Sequence, residues 1–146
     1  MSADPFVRTF DPKLVIATFG PVEIKGYAEG TFINIEPSGD AFEKARGADG
    51  GVDRVNKNMF DGQITFTLKQ TSLTNDQLTA LHKADQLTNT GKLPLLIKDL
   101  NGTTVAAAAQ AWIRRLPAAG MADSMSTREW IIDTGLIEIF VGGNIL

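Results

Sequence analysis

Between Gln63 and Lys69 polar and apolar residues alternate without a break. Ile64, Phe66 and Leu68 fall on one side, Gln63, Thr65, Thr67 and Lys69 on the other. A period of two sends successive side chains to opposite faces, so this segment reads as a strand with one face on a core. Residues 14–19 form another β-rich run, Gly20-Pro21 interrupts it, and residues 22–27 resume it as a first hairpin. Residues 32–36 make a short strand ended by Pro37-Ser38-Gly39-Asp40. Further on, residues 93–98 carry Pro94 near their start, where a missing donor is tolerated. Asn101-Gly102 then signals a hairpin turn. Its return arm, residues 103–115, contains Ala106, Ala107, Ala108 and Ala109, which by propensity suit a helix. The preceding turn and the closing Trp112-Ile113 favour a strand. A flexible segment, residues 116–127, leads to a long strand over residues 128–141. There the apolar phase moves from Trp130 and Ile132 to Ile137, Ile139 and Val141; an odd-numbered shift requires a bulge or kink near Gly135.

The period changes once. Thr74-Asn75-Asp76-Gln77 has the form of a capping box, with Leu73 and Leu78 placed as a hydrophobic staple. Leu78, Leu81, Ala84 and Leu87 mark a helical stripe, and Asn89-Thr90-Gly91 stops it. One helix is expected over residues 75–87. The chain is therefore mostly β (α+β): an antiparallel β-sandwich or barrel of two packed sheets, with one flanking α-helix, in a single domain over residues 1–146.

Residues 42–56 stand apart. Gly47, Ala48, Asp49, Gly50 and Gly51 give the turn of a β-hairpin. Its arms offer Ala45, Val52 and Val55 against Glu43, Lys44, Arg46, Asp53, Arg54, Asn56 and Lys57. A lone two-stranded hairpin is marginal in water even with one apolar face. This one is expected to project from the domain and to be ordered by a neighbouring copy.

Composition narrows the chemistry. Of 146 residues, 43% are hydrophobic and 21% charged, as in ordinary globular proteins. The absence of cysteine removes disulfides and thiolate metal sites. A net charge of -3 disfavours tight binding of nucleic acid. No apolar run approaches the roughly 20 residues that span a bilayer, so no membrane contact is expected. The first residues, with Asp4, Pro5, Arg8 and Asp11, do not resemble a secretory signal, which suggests folding in a cytoplasm. His82 is the single histidine and reads as a solvated helix residue beside Lys83 and Asp85. Glu129, Asp133 and Glu138 are available as paired carboxylates, but cross-strand charge pairing accounts for them. Asp49 and Asp53 lack the spacing of a calcium loop. No catalytic, cofactor or metal site is expected.

Phe42, Gly47-Ala48-Asp49-Gly50, Val52, Arg54, Gly62, Leu68-Lys69-Gln70-Thr71-Ser72, Asn75-Asp76, Leu78 and Leu81 occur in an order that resembles tail tube proteins of contractile-tailed bacteriophages. Lys98-Asp99-Leu100, Gly102-Thr103, Ala111-Trp112-Ile113-Arg114, Glu129-Trp130 and Phe140-Val141-Gly142-Gly143-Asn144 extend the likeness over residues 10–144. The resemblance implies a structural virion protein, not an enzyme, assembled in the host cytoplasm into stacked hexameric rings. It implies a tube surrounded by a tail sheath, bounded by baseplate and tail-terminator proteins, and traversed by tape-measure protein and DNA.

Within that expectation, Phe42, Arg46, Asp49, Val52, Arg54 and Val55 of the hairpin are candidate subunit-interface residues. Phe6 and Phe10 of an N-terminal arm (residues 1–11) and Ile145 and Leu146 of a C-terminal arm (residues 142–146) are further candidates. Gln63, Thr65 and Thr67 are candidates to line a lumen. Two other readings remain: the tube of a bacterial contractile injection or secretion system, and a monomeric β-sandwich ligand-binding module. Against the module, Trp112 and Trp130 lie within apolar strands and Tyr27 stands alone.

Overall fold

A computed structural model describes residues 5–144. A short 3-10 turn at Pro12–Leu14 leads into β1 (Val15–Phe19), β2 (Val22–Glu23), β3 (Ile33–Pro37), β4 (Phe42–Arg46), β5 (Val52–Asn56) and β6 (Asp61–Lys69). Helix α1 (Thr74–Thr88) follows, then β7 (Leu93–Asp99), β8 (Val105–Arg115) and β9 (Thr127–Phe140). Seven strands form one antiparallel sheet in the order β2-β1-β7-β8-β9-β6-β3, and β4-β5 form a second sheet. The mostly β architecture, the flanking helix and the projecting hairpin agree with the sequence pattern. The large sheet stays open, with β2 and β3 at its edges, so no barrel closes.

One face of that sheet supplies the core. Ile64, Phe66 and Leu68 of β6 are fully buried, as their alternation requires. They join Trp130, Ile132, Ile113, Leu95, Ile97, Ala17 and Phe19 in a single cluster capped by Leu78 of α1. Burying a side chain of this size stabilises the fold by about 1.5–3 kcal/mol. The alanines of β8 turn out to be strand: Ala106, Ala108 and Ala111 face the core where β8 is paired on both edges. Ladder hydrogen bonds on both sides override a local helix preference. After β2 the chain crosses to β6, where Ala28 N–H donates to the Thr67 carbonyl and Lys69 N–H to the Gly26 carbonyl.

Strand β9 changes phase where the sequence required it. Arg128, Trp130, Ile132 and Thr134 are buried, whereas beyond Gly135 it is Ile137 and Ile139 that pack on the core. The pairing shifts accordingly: Gln63 opposes Asp133, but Asp61 opposes Leu136. The buried Thr134 hydroxyl accepts the Gly62 N–H at 3.1 Å, which satisfies a backbone group at the irregularity.

The helix departs from expectation at its start. Leu73 occupies the N-cap in a helical conformation and makes no side-chain cap; the Thr74 N–H donates to the Ser72 hydroxyl at 3.3 Å. The Thr74 hydroxyl accepts the N–H of Lys25 instead (3.1 Å), and the Ser72 hydroxyl donates to the Lys25 carbonyl (2.7 Å). A tertiary partner has taken the oxygen that a capping box would use. The staple is absent too, with Leu78 buried and Leu73 78% exposed. The buried stripe runs through Thr74, Leu78 and His82, while Ala84 and Leu87 face water. His82 is thus buried rather than solvated, because intervals of four from Thr74 point it at the sheet. Helix α1 lies against β2 and β8. Its first turn is tied to the sheet by Trp130 Nε1–H donating to Asn75 Oδ1 at 2.9 Å. At the other end Asn89 adopts φ 58° and its N–H donates to the Asp85 carbonyl, the left-handed stop read from the sequence.

Two outcomes follow. Thr74→Val should lower stability by about 1–2 kcal/mol in urea unfolding, since the Lys25 N–H loses its acceptor; Gln77→Ala should change it by no more than about 0.5 kcal/mol, the reverse of what a capping box would give. Tyr27, packed on Phe32, has its pKa pushed up from 10.0 to about 12, mainly by burial and secondarily by Glu23. The unfolded phenol ionises first, so this contribution to stability is intact below pH 10 and is lost as pH rises toward 12. Spectrophotometric titration of this single tyrosine should show the late ionisation, and Tyr27→Phe should flatten the alkaline loss of stability.

Candidate assembly surfaces

All ten strand positions of the β4-β5 hairpin are exposed. Its register pairs Phe42 with Asn56, Lys44 with Arg54 and Arg46 with Val52. Strand alternation therefore gathers Phe42, Lys44, Arg46, Val52 and Arg54 on one face, and Glu43, Ala45, Asp53 and Val55 on the other. The Arg54 guanidinium lies 4.3 Å from the Phe42 ring centroid, and Lys57 pairs with Glu43 at 3.0 Å. Each such exposed contact stabilises by at most about 1 kcal/mol. At the tip, Gly47 N–H donates to the Gly51 carbonyl and Asp49 Oδ1 accepts the Gly51 N–H. Gly50 takes φ 86°, where a side chain would be strained. The structure thus unites Phe42, Arg46, Val52 and Arg54, places Val55 on the opposite face, and commits Asp49 to its own turn.

The N-terminal arm meets the β7–β8 connection. Phe6 and Phe10 are exposed. Between them the Thr9 carbonyl accepts from Asn101 Nδ2 (2.7 Å) and Asn144 Nδ2 (3.1 Å). Ile145 and Leu146 lie outside the described residues. The Asn101-Gly102 turn is not the tight hairpin its sequence suggested: neither residue has positive φ. Gly102 is required for another reason, since a Cβ there would sit 2.8 Å from Asp99 Oδ2 and 2.9 Å from the Gly143 carbonyl. The role of Asn144 was hidden because its partners are remote in sequence.

Gln63, Thr65 and Thr67 are half-buried on the face of β6 away from the core. Gln63 opposes Asp133 of β9 and Glu36 of β3, Thr65 opposes Ile131 and Asn34, and Thr67 opposes Glu129. Arg114 braces this row, reaching both Asp133 oxygens (2.6 and 2.9 Å) and Gln63 Oε1 (2.7 Å). The Asp133 hydrogen bond raises the Arg114 pKa and holds its charge. Asp133 is thereby engaged in a fixed cross-strand brace. Sequence reading missed Arg114, whose meaning depends on strand register. Among the described residues no cluster of three or more His, Asp or Glu side chains is placed to hold a metal.

The same fold occurs in the following two solved structures. One is the sheath/tube terminator of the extracellular contractile injection system PVC (TM-score 0.60, 14% identity, 91% of this chain and 97% of that one). The other is the tube-terminating cap of the anti-feeding prophage (TM-score 0.59, 13% identity, 95% of each chain). Residues 17–142 match the family described as the bacteriophage PhiTE tail tube protein. Structural protein ORF10 of Pseudomonas phage KPP10 is 32% identical over 123 residues, covering 83% of this chain and 71% of that protein. The chain belongs to the bacteriophage tail tube family, and is a structural component of the phage tail rather than an enzyme.

Replacing Asn101 and Asn144 together by alanine should release the N-terminal arm. Amide exchange of residues 6–10 should accelerate severalfold, while the melting temperature, set by the sheet core, should move by no more than about 2 °C.

Proposed function

We propose that this chain builds the inner tube of a contractile phage tail, closing into hexameric rings that stack around a lumen. The observation that carries this reading is a two-stranded sheet with every strand residue in water. Such a ribbon gains too little from its own contacts to be ordered alone, and a heterologous contact with another copy supplies the remainder. In this reading Phe42, Arg46, Val52, Arg54 and Val55 meet neighbouring subunits, Asp49 shapes the tip, and the arms bearing Phe6 and Phe10 dock in turn. Residues 1–146 act as a single domain that folds in the host cytoplasm before assembly.

Gln63, Thr65 and Thr67 face the lumen. A conduit for DNA works best when it binds phosphate weakly, because each Lys or Arg contact adds an ion-release term to binding. The paired Arg114 and Asp133 cancel, and Glu36 and Glu129 share this face. Tape-measure protein occupies the lumen before DNA passes. Sheath, baseplate and tail-terminator proteins are the external partners, in keeping with solved relatives of the fold that come from sheath-bearing systems. That likeness also suits a bacterial injection apparatus; the match over residues 17–142 favours the phage tail.

Concentrated purified protein imaged in negative stain should show rings or tubes with a central hole. Deleting residues 47–52 should abolish them and leave a folded monomer by circular dichroism. A chain that sediments as a monomer at every concentration and salt tested would refute the proposal.

A further inference from the structure

The outward side of the large sheet changes character at the β9 irregularity. Before it, this side carries Gln63, Thr65, Glu129 and Asp133. Beyond it lies an apolar groove of about 680 Å3, lined among others by Phe60, Leu96, Ala107, Ala109, Leu136 and Glu138. Leu136 is 78% exposed, Phe60 58% and Leu96 40%. The alanines present only methyl groups, so the floor is flat enough for a ribbon to lie at sheet-packing distance, about 10 Å.

Charge frames the groove. Glu138 opposes Ala107 across the β8–β9 ladder, and Asp61 opposes Leu136 across the β6–β9 ladder. Neither carboxylate has an ion pair among the described residues. Lys98 sits one row further along, outside the lining. The hairpin supplies the complement. Its Phe42 face carries Lys44, Arg46 and Arg54 with no acid among them, and Lys44 stands directly opposite Arg54. Like charges so placed repel, and the repulsion is relieved when acids approach that face. The hairpin's own groove is not its partner, since all ten of its strand positions remain exposed.

The geometry points to a docking site: the Phe42/Val52 face of one copy's hairpin lies in the Leu96–Ala107–Ala109–Leu136 groove of a second copy, with its cations against Asp61 and Glu138. This rests on the self-association proposed above and supplies the receiving surface for it. One chain presents both halves, on different faces, so the contact is heterologous and propagates from copy to copy.

The chain has no cysteine, which permits a direct test. A V52C copy mixed with an A109C copy under mild oxidation should give the mixed disulfide at several times the yield of V52C with L87C, whose position on the helix is also exposed. Equal yields would overturn the docking. So would preferential joining of A109C to F10C, which would put the N-terminal arm in the groove. Independently, D61K/E138K and K44E/R46E should each weaken self-association at least tenfold by sedimentation, and a chain carrying all four changes should recover most of it. Failure of the combined chain to recover would also overturn the pairing. Tubes without the V52C–A109C bridge would leave the tube reading standing and end this one; the bridge without tubes would do the opposite.

Discussion

Strand β9 runs for fourteen residues with β8 on one edge and β6 on the other, and it must serve the core along its whole length. It does so by changing face once. An unbroken period of two would keep Trp130 and Ile132 inside while turning Ile137 and Ile139 to water. The irregularity at Thr134–Leu136 keeps both sets on the core side, and Thr134 repairs the local hydrogen bonding through Gly62. The same step reverses the outward side, from a polar row braced by Arg114 to the apolar groove around Leu136. Core continuity and the division of the outer surface thus have one cause.

Much of this was legible locally. The alternation of Ile64, Phe66 and Leu68 located strand β6, the odd-numbered jump after Ile132 located the bulge, and Asn89 ended the helix. The hairpin was visible because its glycines and charged arms left nothing to bury. What escaped was set by contacts remote in sequence. The Thr74 hydroxyl is taken by Lys25, so a well-formed capping motif goes unused. His82 is buried because α1 turns that side to the sheet. Arg114 acquires a role only once β8, β9 and β6 are in register. Asn101-Gly102 was right as a turn and wrong in its reason: the glycine answers to crowding by Asp99 and Gly143 rather than to a left-handed backbone.

Exposed strand edges are usually a hazard, since unpaired backbone groups invite indiscriminate pairing. Here the ribbon carries seven charged residues from Glu43 to Lys57, counting Lys44, Arg46, Asp49, Asp53 and Arg54 among them, and in the proposed assembly these would disfavour indiscriminate pairing while admitting a partner of matching charge. Charge placed this way contributes selectivity and register more than affinity. In the proposed assembly, affinity would then come from apolar contact at many repeated junctions, each weak alone, so that order would grow with local concentration.

The hydrogen bond between Asn144 and Thr9 has a topological corollary. The first and last described stretches of backbone converge on one corner of the molecule, beside the β7–β8 connection. The backbone at Thr9 and at Asn144 therefore leaves the sheet from that same corner. In the proposed ring, both of these anchor points would lie at a single latitude.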